Sequence, residues 1–146
     1  MTFEQLQKAN ESIQTMGIEK TNRKTGQTTV TQYAEVNQRI KAFRMVYPDG
    51  FIMTEIQSLK DGMCVMVARC GYYAENGTLM ILGMGTAYEK EESSFINKTS
   101  YIENCETSAV GRALGMAGFG IDTSVASYEE VANAMKNQNV KKATER

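Results

Sequence analysis

Asp61-Gly62-Met63-Cys64-Val65-Met66-Val67-Ala68-Arg69-Cys70 and, a few residues on, Asn76-Gly77-Thr78-Leu79-Met80-Ile81-Leu82 each open on a turn dipeptide and continue into strand-forming residues. Asp-Gly and Asn-Gly favour the positive φ angles of a type I′ hairpin turn. They divide the middle of the chain into three β-rich runs, about 51–60, 63–74 and 78–88, which predicts an antiparallel meander. Along the second run Val65 and Val67 point one way, while Cys64, Met66, Ala68 and Cys70 point the other. In the third, Met80, Leu82 and Met84 oppose Leu79, Ile81 and Ala87. A sheet with one wet face alternates apolar with polar residues. Apolar residues on both faces call for helices on one side and another cover on the other, a second subunit being one candidate. An open three-stranded sheet also has an edge to protect.

On the N-terminal side, Thr2-x-x-Gln5 reads as a capping box, with Phe3, Leu6, Ala9 and Ile13 following at helical spacing. This predicts a helix over 3–15, ended by Gly17. Residues 19–32 are polar and read as a loop or a short ribbon. A second helix is expected over 33–46, with Tyr33, Val36, Ile40 and Phe43 as its apolar stripe, Arg39, Lys41 and Arg44 off it, and Pro48-Asp49-Gly50 closing it. Beyond the meander an acidic connection (89–101) leads into a helix over 103–117. Ser127 then caps a last helix with Glu129 and Glu130 in its first turn, favourable to the dipole. The expected fold class is α+β: a three-stranded meander packed by a long helix (a β-β-β-α core), with flanking N- and C-terminal helices. One domain would occupy 1–136, and 137–146 would form a polar, disordered tail.

At 146 residues the chain is one domain by length, with 42% hydrophobic residues. No apolar stretch reaches the roughly 20 residues that span a bilayer. The start, Met1-Thr2-Phe3-Glu4-Gln5, lacks the basic-then-apolar order of a signal peptide. A cytoplasmic location is the expectation, with no membrane partner. The chain has no histidine, which removes the commonest general base and metal ligand together. Its three cysteines lack C-x-x-C spacing and cannot build a four-thiolate zinc site, so they read as small reduced core residues. Net charge is −1, but the cations are unevenly spread. From Lys20 to Arg44 stand Lys20, Arg23, Lys24, Arg39, Lys41 and Arg44 against the single acid Glu35, whereas 45–106 holds four basic residues and nine acids. A positive pole on a near-neutral chain suits an anionic partner held on one surface. A solvated charged face is the plain alternative.

The predicted helix Glu103-Asn104-Cys105-Glu106-Thr107-Ser108-Ala109-Val110-Gly111-Arg112-Ala113-Leu114-Gly115-Met116-Ala117 carries two internal glycines. Each costs about 1 kcal/mol relative to alanine. Ser108, Gly111 and Gly115 therefore form a candidate face for close approach of another backbone or a phosphate. Arg112, set among these small residues, can reach a phosphate. Tight helix-on-sheet packing, with Arg112 paired to Glu55 or Glu106, explains the same residues without a ligand.

From Tyr33 to Ile121 the sequence resembles the phage single-strand annealing proteins of the Erf and Sak groups and their eukaryotic relative, the Rad-fifty-two annealing protein. The resemblance rests on Tyr33-Ala34-x-x-Asn37, Gly83-x-Gly85-x-Ala87-x-Glu89 and, most specifically, Glu106-Thr107-Ser108-Ala109-Val110-Gly111-Arg112-Ala113-Leu114-Gly115-x-x-Gly118. It implies a homo-oligomeric ring or helical filament that binds single-stranded DNA and anneals complementary strands without ATP, metal or other cofactor. Partners would be single-stranded DNA and a phage or host single-strand binding protein. Arg112 would meet phosphates, with Lys98, Lys20, Arg23, Lys24, Arg39, Lys41 and Arg44 as the further nucleic-acid-binding candidates. No catalytic residue is expected.

Two rivals belong to other classes. A ring-forming phage protein that has lost annealing would bind or inhibit a host protein. A metal-dependent nuclease would use Glu89, Glu91, Glu92, Glu103 and Glu106, but no lysine here has an acid two residues before it, as the D/E-x-K signature requires. Gly115-x-x-Gly118-x-Gly120 has the spacing of neither a Rossmann fingerprint nor a P-loop. Tyr33, Tyr47, Tyr72, Tyr73, Tyr88 and Tyr101 are candidates for base stacking or, more plainly, for core and contact positions.

Overall fold

The computed structural model describes residues 1–123. In chain order it contains α1 (Phe3–Glu11), β1 (Thr15–Thr21), β2 (Thr28–Ala34), α2 (Val36–Val46), β3 (Phe51–Lys60), β4 (Met63–Tyr73), β5 (Leu79–Lys90), a 3-10 turn (Glu91–Ser93) and α3 (Asn97–Met116). The class is α+β. The expected final helix from Ser127 and the tail lie outside the described residues.

The Thr2–Gln5 capping box forms in both directions at the start of α1. The helix stops at Ser12, earlier than Gly17, because the Ser12 hydroxyl donates back to the Ala9 carbonyl (2.6 Å) and competes with the next helical bond. Gly17 lies instead in β1, opposite Gln32. The polar stretch is a two-stranded ribbon, β1 running antiparallel to β2 from Thr15↔Ala34 to Thr21↔Thr28. Threonines, which fit a pleated surface, dominate it. Since Tyr33 and Ala34 continue β2, α2 begins three residues later than the apolar stripe suggests.

The meander has the order β3-β4-β5, all antiparallel. Asp61 and Gly62 both take positive φ (53° and 70°), as a type I′ turn requires. At the second hairpin only Gly77 does so (φ 83°). There Gly77 N–H donates to Ala74 C=O and Ala74 N–H to Thr78 C=O, so a type I turn is followed by a left-handed glycine. A bulge at Leu82 then shifts the phase of β5: Ile81 stands opposite Gly71, and Gly83 opposite Cys70. Ile81 and Met84 consequently share a face, contrary to simple alternation.

The helix-covered face of the sheet carries Cys64, Met66, Ala68 and Cys70 of β4, which meet Cys105, Ala109, Ala113 and Leu114 of α3. The helix lies almost directly on β5. A Cβ at Gly85 would stand 2.5 Å from the Ala113 nitrogen and 2.6 Å from the Ala109 oxygen, so only glycine admits the helix backbone here. From α2, Ala42 and Phe43 complete the core, with Phe43 edge-on to Phe119 at 5.5 Å. All three cysteines are free and buried. Burial pushes the Cys70 thiol up to about 11 and that of Cys105 to about 12, the neighbouring Cys64 adding to the second.

Helix α3 starts six residues before the predicted 103, with non-helical Ser100 (φ −141°) within it. A polar network stabilises this early start: buried Asn97 donates to Glu89 (2.8 Å) and Ser93, and Asn104 donates to Asn97 (2.8 Å). Past α3 the chain turns through residues 118–123 and is clasped from two sides. Asn10 of α1 donates to Gly118 C=O and accepts from Gly120 N–H. Arg39 of α2 donates to Phe119 C=O (2.7 Å) and to the Thr123 hydroxyl (3.3 Å). Among the described residues, no helix is long and apolar enough to cross a membrane.

Candidate nucleic-acid interface

The β1–β2 ribbon is the most exposed part of the fold: every residue from 19 to 32 is solvent-accessible on both faces. Lys20 leaves β1 near its end, and Arg23 and Lys24 form the turn. Asn22 fixes that turn, its backbone N–H bonding Gln27 C=O (2.7 Å) and its side-chain oxygen accepting from Lys24 N–H (2.9 Å). Between residues 12 and 34 the only acid is Glu19. Threonine hydroxyls of Thr21, Thr25, Thr28, Thr29 and Thr31 surround the three cations. Such an arm presents charge and hydrogen-bond donors on an exposed surface.

The other predicted cations are distributed over the helices. Lys41 is exposed on α2, and Lys98 in the first turn of α3. Arg44 is exposed but closes its own helix, donating to Pro48 and Gly50 carbonyls with its guanidinium over the Phe43 ring. Arg39 corrects the expectation placed on it: at 1% exposure its guanidinium holds the 118–123 turn and does not face solvent. Desolvation lowers its pKa from the usual arginine value.

Ser108, Gly111 and Gly115 are all buried, which fits the packing alternative. At Gly111 the close approach is to protein. A Cβ on Gly111 would stand 2.7 Å from Val36 of α2. Arg112 is half-buried, and its own Cβ lies where a side chain on Gly85 would be.

Of the tyrosines, Tyr33 is buried, Tyr47 stacks on Tyr72 (5.1 Å, 6° between planes), and Tyr73 tilts against Phe51. Tyr88 stays 65% exposed on the sheet. Phe95, 87% exposed just before α3, escaped sequence reasoning; the only signal was an apolar Phe95-Ile96 pair within a polar connection. Glu89 is bonded to Asn97 and Glu106 accepts from Thr54, and no three potential metal ligands cluster among the described residues.

Residues 40–117 match the model of a protein family described as Slr1353 N-terminal dsRNA-binding domain-like. This chain belongs to that family. The span covered by the dsRNA-binding domain-like family runs from α2 through the meander to the end of α3 and leaves out α1 and the ribbon. The match overturns the resemblance to phage annealing proteins, whose most specific block, Glu106 onward, falls inside it except for the last glycine. Physically, the motifs behind that resemblance are a packing pattern: Gly83 and Gly85 admit α3 onto β5, and Gly111 admits α2. Any family that lays a helix this close to a strand needs small residues at such positions. No curated protein matches the chain.

Proposed function

We propose that this protein binds nucleic acid through phosphate contacts made by its β1–β2 ribbon, and that it promotes pairing of complementary single strands without ATP. The observation that carries the reading is the ribbon itself, a protruding arm with Lys20, Arg23 and Lys24 within five residues and a single acid on it. Contacts of this kind neutralise phosphates and carry no base sequence information. They leave bases free to pair, and annealing then needs charge neutralisation but no bond chemistry. Lys41 and Lys98, both exposed, lengthen the footprint, whereas exposed Arg44 is engaged by the Pro48 and Gly50 carbonyls. The dsRNA-binding description of the family supports a nucleic-acid partner and favours a second reading, recognition of double-stranded RNA by shape.

One experiment separates the two. Complementary labelled oligonucleotides are mixed with the protein, without ATP or Mg²⁺, and duplex formation is followed at two salt concentrations. Binding to double-stranded RNA of equal length is measured alongside. Acceleration that fades as salt rises supports annealing. Tight binding to duplex RNA with no acceleration gives the second reading, and binding to neither overturns both.

A further inference from the structure

Residues paired across the strands share a face, and the Leu82 bulge brings Leu79 and Ile81 onto the side of the sheet turned away from α3. Along the edge strand β5 that side carries Leu79, Ile81, Met84, Thr86, Tyr88 and Lys90, all exposed and with no acid among them. On β4 it holds Arg69 and Tyr73, and on β3 Glu55 and Lys60. Glu55 is its one acid, and Arg69 bonds it at 3.3 Å. Lys60 and Lys90 stand in one row across Met63, and neither is in an ion pair with a described residue. Three cations against one acid give the face a charge of +2. The acids nearest the lysine row lie elsewhere. Glu89 is on the opposite side and bonds Asn97, while a Cβ on Gly62 would stand 3.4 Å from the Glu91 carboxylate, which places that acid at the hairpin turn. Asp61 belongs to the same turn and Glu92 to the 3-10 turn beyond it.

We propose that this face is a stacking platform for single-stranded nucleic acid, with Tyr88 and Tyr73 under bases and Lys90 and Lys60 at phosphates. The inference rests on the nucleic-acid reading above and adds to the ribbon a site that touches bases. Tyrosine rings on an open sheet accept the face of any base, and cations beside them hold the backbone. Tyr88 is the most exposed aromatic of the sheet, and Lys90 follows two residues on, on the same strand and face. Tyr73 leans on Phe51, with 5.5 Å between ring centroids. Eight residues of β4 separate Tyr73 from Val65, the partner of Tyr88, so the two rings mark a track about 26 Å long. Met84 and Ile81 lie along it and offer apolar contact to the bases between. A row of aromatic and apolar side chains that ends in unpaired lysines and holds no acid favours a polyanion with flat, apolar bases over a protein. The strand is single because a duplex keeps its base faces stacked on one another. Stacking leaves the Watson–Crick edge of each base open, so a strand held here can still pair. A second copy of the chain is the competing occupant.

The test uses the full chain and a labelled oligothymidylate, with an oligouridylate of equal length alongside to tell DNA from RNA. Y88A should lower affinity about tenfold, the loss of one stacked base, without changing the slope of log K against log salt. K60A/K90A should flatten that slope by about 1.4, the share of two phosphate contacts on a single strand. All three positions are exposed, so circular dichroism stays that of the wild type. Affinity for duplex RNA is the same for Y88A as for the wild type. The chain has no tryptophan, so Y88W places the sole indole on the face, and its emission is quenched when a base stacks on it. The inference is overturned, with the ribbon reading intact, if Y88A and Y73A bind the single strand as the wild type does while K20A/R23A/K24A binds it more weakly. Y88W emission that the oligonucleotide leaves unmoved overturns it too. So does a wild-type chain that dimerises in sedimentation velocity where Y88A does not, which assigns the face to a second copy. A wild-type chain that binds no single strand overturns it together with the annealing reading.

Discussion

Replacing Lys20, Arg23 and Lys24 by alanine removes the three cations of the ribbon while leaving its backbone bonds and the Asn22 turn in place. All three residues are exposed, so circular dichroism and the melting temperature should stay close to wild type. The effect on binding follows from counterion release. On a single strand each phosphate contact contributes about 0.7 to the slope of log K against log salt, so three contribute about 2. At about 0.15 M salt one such contact is worth roughly fourfold in affinity and three roughly 50-fold; at about 0.05 M the loss grows to roughly 500-fold. Fluorescence anisotropy of a labelled single strand, titrated at four salt concentrations, measures both quantities. The K20A/R23A/K24A chain should bind more weakly and with a flatter slope, equally for all sequences. An unchanged slope would refute the assignment of phosphate contacts to the ribbon, even if affinity fell.

Truncating the buried guanidinium in R39A leaves the Phe119 carbonyl without that donor and should cost about 3 kcal/mol in urea unfolding, with no change in salt slope for whatever binding remains. G85A forces backbone atoms of α3 away from β5 and should destabilise by about 2 kcal/mol or more. G111A sets its Cβ 2.7 Å from the Val36 γ-methyl, which is stiff at χ1, and a gain of about 1 kcal/mol in helix propensity offsets only part of the crowding, so its melting temperature should fall, but less than that of G85A. Cys70 and Cys105 hold their protons to about pH 11 and about pH 12 when folded, but near pH 9 when unfolded. The unfolded chain therefore binds fewer protons above pH 9. The stability these thiols contribute is whole below that pH and declines as pH rises toward 12, which alkaline melts should show; at pH 8 the thiols should resist iodoacetamide until the protein unfolds.

The meander was legible because Asp61-Gly62 and Asn76-Gly77 impose turns locally, and their strands need only antiparallel neighbours. Gly111 was read as a position of close approach, whereas Gly83 and Gly85, which admit α3, entered only as part of a family motif. What they could not announce was the neighbour, because a helix backbone, a valine and a phosphate all ask for the same missing Cβ. Arg39 was misplaced for a similar reason. It lies off the apolar stripe of α2, and nothing local says that Phe119, eighty residues away, turns a carbonyl toward it. The Leu82 bulge reversed the expected phase of Leu79 and Ile81, because a single extra residue leaves no trace in a period-two pattern. The ribbon was half visible: its polarity was read, but pairing between two threonine-rich segments depends on the partner strand.

The clasp on the 118–123 turn bears on how the chain reaches its native state. Asn10 bonds Gly118 and Gly120 across 108 and 110 residues, and Arg39 bonds Phe119 across 80. These contacts close the largest loops in the described structure, and loop closure of this kind slows folding more than it limits stability. During synthesis α1 can pack on α2, but its bonds to the 118–123 turn have to wait until residue 120 has left the ribosome. A piece cut at the family limits, 40–117, lacks both Asn10 and Arg39 and would emerge with the end of α3 unfastened. The meander can assemble early, but completion comes only when the two ends of the described chain meet.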